Sequence, residues 1–233
     1  MKTFRLGGIH PEENKLSADI VTTMAALPTQ AVFPLLQHIG APAKPVVAKG
    51  DRVKVGQLIA EAGGFVSASI FSSVSGVVTK IDSVVDATGY KTPAIIIQVE
   101  GDEWEMGIDR SDKLELLSDH QDLSPEDIIA SIKDAGIVGM GGAGFPTHVK
   151  LSPPKGCKAE FVIVNGAECE PYITSDYRLM MEHPDEILVG VALLMKAAKV
   201  DKGFIGIEEN KADAIALLAE KAKDYHHIEI VKL

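Results

Sequence analysis

The hydrophobic rhythm of the chain changes once, near residue 122, and that change constrains the fold more than any other feature. Over residues 30–99, short apolar runs rich in Val and Ile alternate with turn residues, the pattern of half-buried strands. Candidate strands are 43–48, 57–60, 66–71, 76–81 and, just after Pro93, 94–99. Pro45 lacks an N–H, so the first of these fits only a sheet edge. Gly50-Asp51, Gly63-Gly64 and residues 86–89 supply turns. Residues 30–100 therefore read as an all-β unit. Residues 1–29 before it form a polar segment with an early Gly7-Gly8 and a stop at Pro28. Residues 101–121 after it are acidic and irregular, carry the only tryptophan, Trp104, and read as a linker.

From Asp122 the pattern is of helices and strands. Ser124-Pro125-Glu126-Asp127 is a helix start, with a Ser cap, Pro in the first helical position and acids in the first turn. Ile128, Ile129, Ile132 and Ala135 then share a face. Residues 161–164 form a short apolar strand. Pro184 opens a helix whose Ile187, Leu188, Val191, Leu194 and Met195 leave little polar surface, so it should be well buried. Residues 203–207 form a second strand. Asn210 is placed to cap a helix with Ile215, Leu218, Ala219 and Ala222 inward, and residues 228–231 form a third strand. Strand, helix, strand, helix, strand implies a parallel sheet with crossover helices. The expected class is α+β and multidomain: a β-rich domain, then an α/β domain over 122–233 that is Rossmann-like in its parallel sheet. No covering helix follows the third strand, so this domain is expected to be truncated here.

Charge narrows the partners. There are 33 acidic and 23 basic residues, a net charge of -10, which argues against a broad nucleic-acid footprint. A small anion held by backbone N–H groups and one or two cations stays open. Cys157 and Cys169 cannot build a disulfide scaffold, and they form no C-x-x-C pair. Neither His148 nor His183 has metal-ligand spacing, so no metal site is expected. No segment reads as a secretory leader or a membrane span.

Two motifs stand out. Gly139-Met140-Gly141-Gly142-Ala143-Gly144-Phe145-Pro146-Thr147 lets backbone approach a ligand closely. Consecutive N–H groups in such a loop form an anion nest, and Lys150, one turn into a short helix opened by Pro146, could neutralise a phosphate. It is not a P-loop, since no Lys-Ser or Lys-Thr pair follows its last glycine. It is also a poor dinucleotide fingerprint, since a helix rather than a strand precedes it. On composition alone a flexible surface loop fits as well. The second motif, Asn165-Gly166-Ala167-Glu168-Cys169-Glu170-Pro171, follows the first strand of the α/β region, the end where open parallel sheets place ligands. Asn165 could bond the edge of a planar ring, and Glu168 and Glu170 could accept from ribose hydroxyls or a nicotinamide amide. A polar turn after a buried strand fits equally. Arg178, on a short helix with Asp176 and Tyr177, reads as a structural ion-pair partner.

In the β unit, residues 49–57 and Val74-Ser75-Gly76-Val77-Val78 resemble biotinyl- and lipoyl-type domains, small flattened sandwiches. Those carriers present a modified lysine between two such segments; here residues 61–73 contain no lysine, so a swinging arm is not expected. Taken with Phe4-Arg5-Leu6-Gly7-Gly8-Ile9-His10-Pro11, Gln37-His38-Ile39-Gly40-Ala41-Pro42-Ala43, residues 139–150, residues 165–176 and Gly206-Ile207-Glu208-Glu209-Asn210-Lys211, the chain resembles the RnfC family of the Rnf electron-transport complex, also called RsxC. Its core is also similar to the flavin-binding subunit of respiratory complex I.

The resemblance implies FMN held by Gly139, Gly141, Gly142, Gly144 and Lys150. It implies a flavin and NAD(H) pocket lined by Asn165, Glu168 and Glu170. It implies electron transfer between NADH and ferredoxin, coupled by the full complex to ion movement, and no catalytic acid or base from the protein. The implied partners are the other Rnf subunits, and the implied place is peripheral, on the cytoplasmic side of the bacterial inner membrane. The family's cysteine-rich region, which binds two 4Fe-4S clusters, is absent from this chain, which alone should be inactive. Two rivals remain: a non-catalytic docking module for membrane partners, and a soluble NADH dehydrogenase or diaphorase subunit. The Gly7-Gly8-Ile9-His10 opening and the leading β unit speak against the second.

Overall fold

The computed structural model describes residues 11–86, 88–111, 113–116 and 122–233; the Gly7-Gly8-Ile9-His10 motif lies outside these residues. The chain divides into two compact units. One joins Ala25–Lys113 to Glu126–Pro154; the other joins the N-terminal segment up to Met24 to Leu114–Pro125 and Lys155–Leu233.

The first unit carries β1 (Gln30–Pro34), β2 (Lys44–Pro45), β3 (Arg52–Val53), β4 (Leu58–Glu61), β5 (Ile70–Phe71), β6 (Gly76–Val85) and β7 (Lys91–Val99). They form an antiparallel sheet in the order β1-β7-β6-β3 and a second in the order β2-β4-β5. Pro45 lies at the edge of the second sheet, as its missing N–H requires. Two expected strands shrink to two residues each, β2 and β5, while β1 and β3 were not foreseen. β7 starts earlier than expected and includes Pro93. Pro93 is tolerated because its missing N–H would face the same side as its carbonyl, which accepts from Leu35 N at 2.8 Å, just past Pro34 and Ala94, the last registered pair of β1 and β7.

Ile59, Val78, Ile95 and Ile97 are fully enclosed in the core between the sheets. Each such burial stabilises by about 1.5–3 kcal/mol. The stretch expected as a linker is tied to this unit in its first part. Val55 N donates to Glu103 O at 2.8 Å, and Glu105 N donates to Val55 O at 2.9 Å, so Trp104 pairs beside Val55.

Helix α1 (Pro125–Asp134) begins at the foreseen proline and buries Ile128, but Ala135 is exposed beyond its end. Gly136 stops it: at φ +67° its N–H donates to Lys133 O and Ile137 N donates to Ile132 O, the paired bonds of a Schellman motif. The glycine loop follows, then α2 (Thr147–Lys150).

The second unit holds β8 (Val162–Asn165), α3 (Ser175–Glu182), α4 (Pro184–Ala198), β9 (Gly203–Ile207), α5 (Ala212–Lys221) and β10 (Ile228–Lys232). Its three strands form the expected parallel sheet, in the order β10-β9-β8. Helix α4 has Pro184 at its start, Asp185 and Glu186 in its first turn, and buries Leu188, Val191 and Met195 against Ile205 and Ile207 of β9. β8 is an edge strand, so it alternates: Val162 and Val164 pack inward while Ile163 is exposed. Asn210 does not cap α5. Lys211 takes the capping position, and Asn210 Nδ2 donates instead to Glu13 Oε1 at 2.9 Å. Ala214 and Leu218 face the core, whereas Ala219 is exposed.

Candidate functional site

The glycine loop is closed at its base. Val138 bridges Pro146, Gly139 N donates to Phe145 O at 2.9 Å, and Thr147 N donates to Ile137 O at 3.1 Å. At the tip the backbone is bare: a Cβ on Gly141 or Gly142 would meet nothing within 4 Å. Among the described residues none accepts a hydrogen bond from the N–H of Met140, Gly141, Gly142 or Ala143. Lys150 Nζ stands 3.0 Å from where a Cβ on Gly139 would lie, so the ammonium reaches back to the base of the loop. Gly144 has φ +65°, and a Cβ there would sit 2.9 Å from Gln37 O. Beside the loop is a cavity of about 500 Å³ whose walls include Gly139, Gly142, Gly144, Phe71 and Phe33, all in the first unit. His148, on α2, is buried.

Asn165, Glu168 and Glu170 belong to the second unit, so the eight candidate residues divide five and three. Asn165 ends β8, and its Oδ1 accepts from Ala167 N at 3.0 Å, turning the chain sharply. Glu168 is buried, only 4% exposed. Its Oε1 accepts from Asp176 N at 2.9 Å and Ser175 Oγ at 3.3 Å at the start of α3. Its Oε2 has no partner among the described residues, which is costly for a buried carboxylate. Glu168 N donates to Glu208 Oε2 at 3.0 Å, and Glu208 pairs with Lys211. Glu170 is exposed.

The surrounding charges follow from this burial. Desolvation raises the Asp176 carboxyl, and Glu168 and Glu170 push it further, against a smaller pull from Lys211. Desolvation also acts upward on Glu208, but its bonds from Lys211 and Glu168 N outweigh it and hold the carboxyl below the usual range. Arg178 pairs with Glu182 at 2.6 Å and donates to Ala18 O at 3.0 Å, the structural role its sequence context suggested.

Lys15 was not foreseen. Its Nζ donates to the carbonyls of Glu168 at 2.9 Å, Glu170 at 2.8 Å and Ile173 at 2.7 Å. Its only sequence signal is that it is the single cation in residues 11–24. Glu208 and Lys211 lay in a motif that carried no assigned role.

Residues 2–102 match the family model described as the RnfC barrel sandwich hybrid domain, and residues 132–233 match the Nuo51 FMN-binding domain. A subunit of the proton-translocating ferredoxin:NAD(+) oxidoreductase complex of Clostridium ljungdahlii is 46% identical over 100% of this chain and 50% of its own length. The corresponding subunit of the Na(+)-translocating ferredoxin:NAD(+) oxidoreductase complex of Acetobacterium woodii is 40% identical over 99% and 51%. The chain is a homologue of RnfC. It spans about half the length of these curated relatives. Among solved structures, a chain of an NAD+-reducing [NiFe]-hydrogenase is 27% identical over 47% of this chain and 20% of its own, with a TM-score of 0.41.

Taken one unit at a time, the residues present suit parts of an FMN. The bare N–H groups and Lys150 suit a phosphate. In the second unit, taken by itself, the unpartnered Glu168 Oε2 suits a hydrogen-bond donor.

Proposed function

We propose that the chain is the flavin- and nicotinamide-handling part of an RnfC protein, serving electron transfer between NADH and ferredoxin. The observation that carries this is the glycine loop: bare N–H groups at its tip and Lys150 Nζ beside Gly139 at its base, inside the stretch that matches an FMN-binding domain. When bound, FMN supplies the exchange between two-electron hydride chemistry and single-electron delivery to iron–sulfur clusters. The clusters belong to the whole protein, outside this chain.

The protein's own part is to bind and orient. Gly141 and Gly142 offer the phosphate close backbone approach; the parts of Gly139, Gly144 and Lys150 in holding it are taken from the family resemblance. Asn165, Glu168 and Glu170 serve the flavin and nicotinamide edges, a role taken from the family resemblance and supported by the buried, half-satisfied Glu168. No side chain is assigned a proton transfer. The three-stranded parallel sheet is read as Rossmann-like. The relatives' names support other subunits of an ion-translocating complex as partners. Peripheral attachment on the cytoplasmic side is proposed from the family resemblance; no helix among the described residues is long and apolar enough to cross a membrane. The fragment alone is proposed to be inactive.

The test is FMN titration into the full-length protein and its Gly142→Asp variant. A Cβ added at Gly142 would meet nothing within 4 Å, so the variant is expected to change charge and approach rather than packing. Affinity should fall roughly a hundredfold, two tenfold steps from a like charge set against the phosphate. Equal binding by both proteins would remove the loop from the flavin site and favour the docking-module reading.

A further inference from the structure

An ammonium group has three N–H donors, and in Lys15 all three meet backbone carbonyls of one short stretch: Glu168, Glu170 and Ile173, at 2.9, 2.8 and 2.7 Å. Charge-assisted bonds of this length are the strong ones. Three carbonyls converging on one point would otherwise repel one another.

Lys15 does not act alone. Glu13 O accepts from Tyr172 N at 2.8 Å, and Tyr172 is held at φ +69°. Ser17 Oγ and Thr174 Oγ1 share a bond of 2.7 Å. Ala18 O accepts from Arg178 at 3.0 Å, and Thr22 N donates to Glu182 Oε1 at 3.0 Å. Residues 13–22 are thus stitched along residues 168–182 at nearly every turn. That segment lies within the barrel-sandwich match and outside the FMN-binding match. It is fastened to the stretch of the FMN-binding match that carries Glu168 and Glu170.

We propose that Lys15 is a positioning residue: the N-terminal segment is a strap, and Lys15 is the clamp that fixes the Glu168–Glu170 backbone for ligand binding. Its bearing on NADH rests on the flavin and nicotinamide reading above. The strap itself does not, because the bonds are internal to this unit.

The experiment uses the full-length protein in its complex, wild type and Lys15→Ala. Two readouts are taken: amide exchange of residues 166–174, and the steady-state kinetics of NADH oxidation. Exchange should quicken about tenfold or more, and KM for NADH should rise about tenfold with kcat nearly unchanged, the signature of lost binding geometry. Propylammonium should restore both, since it replaces the missing stem and all three donors. Tetramethylammonium, which has no N–H, should restore neither. If Lys15→Ala fails to fold, Lys15→Gln, which keeps two donors on a shorter stem, should shift both readouts in the same direction by less.

Exchange and KM both unchanged in the folded variant would overturn the proposal. So would faster exchange with unchanged KM, or equal rescue by both cations. Wild-type protein that holds no flavin and oxidises no NADH would sink the flavin reading instead. The exchange and rescue measurements would then still decide the clamp.

Discussion

Gly142 and Gly144 stand two residues apart and answer to different constraints. Gly144 is fixed by the fold: φ +65° and a Gln37 oxygen 2.9 Å from any added Cβ leave no room for a side chain. Gly142 faces open space. Gly144→Ala should therefore cost about 1–3 kcal/mol in urea unfolding, while Gly142→Ala should stay within about 0.5 kcal/mol. Equal costs would mean that the loop can shift away from Gln37.

Asp176 gives a pH prediction of definite sign. Its folded carboxyl titrates above the ordinary 3.8, raised by desolvation and then by Glu168 and Glu170. Across the window between the unfolded and folded values the folded state binds more protons. Its contribution to stability is thus present at low pH and lost as pH rises through that window. Asp176→Asn should remove this fall from a series of unfolding curves; an unaltered pH slope would assign it to other groups.

At this scale the glycine loop and the strand-end carboxylates could be singled out from the sequence, because what marks them is local; their ligand roles stand as proposals. Lys15 was not, because its partners are backbone carbonyls more than 150 residues away, and a carbonyl leaves no mark on the sequence.

At the scale of elements, helices were read more truly than short strands. Pro125 and Pro184 each open a helix at the residue foreseen, since a proline start and an apolar stripe are properties of the helix itself. β3 and β5 are two residues long and exist only through their partners β6 and β4, so no window of sequence defines them. Asn210 failed as a cap for a related reason: Glu13, distant in sequence, competes for its side chain.

The hairpin between β4 and β5, the stretch that carries no lysine, has a packing role instead of a free tip. Its Ser69 carbonyl would stand 2.3 Å from a Cβ on Gly136, the residue that ends α1. The hairpin is thereby packed against the entry to the glycine loop rather than left to swing. Gly136→Ala must lose both the Schellman turn and this contact, so it should destabilise by at least about 2 kcal/mol. It should also quicken amide exchange in residues 136–145. A stable variant with unchanged exchange would show that the hairpin does not brace the loop.

At the scale of the whole molecule, the described chain has two hydrophobic clusters rather than one. Ile59, Val78, Ile95 and Ile97 centre the first; Leu188, Ile205, Ile207 and Leu218 centre the second. The helical rhythm after residue 125 reads as the opening of the α/β region, yet contacts group Glu126–Pro154 with the strands. Periodicity names an element without saying which core it joins. The sole tryptophan, Trp104, pairs beside Val55 in the first unit, and most of the helix, α3, α4 and α5, lies in the second, so fluorescence reports the first unit and the larger part of the helical signal reports the second. Leu188→Ala empties a site with no solvent exposure and should cost the second unit about 2–5 kcal/mol. The larger part of the helical circular-dichroism signal should then unfold at lower denaturant, the part from α1 and α2 staying with the first unit, while Trp104 fluorescence keeps its midpoint. Ile97→Ala should do the reverse, because its side chain lies in the other core. If either substitution moves both midpoints by the same amount, the two cores unfold as one cooperative body, and separate clusters do not imply separate stabilities in this chain.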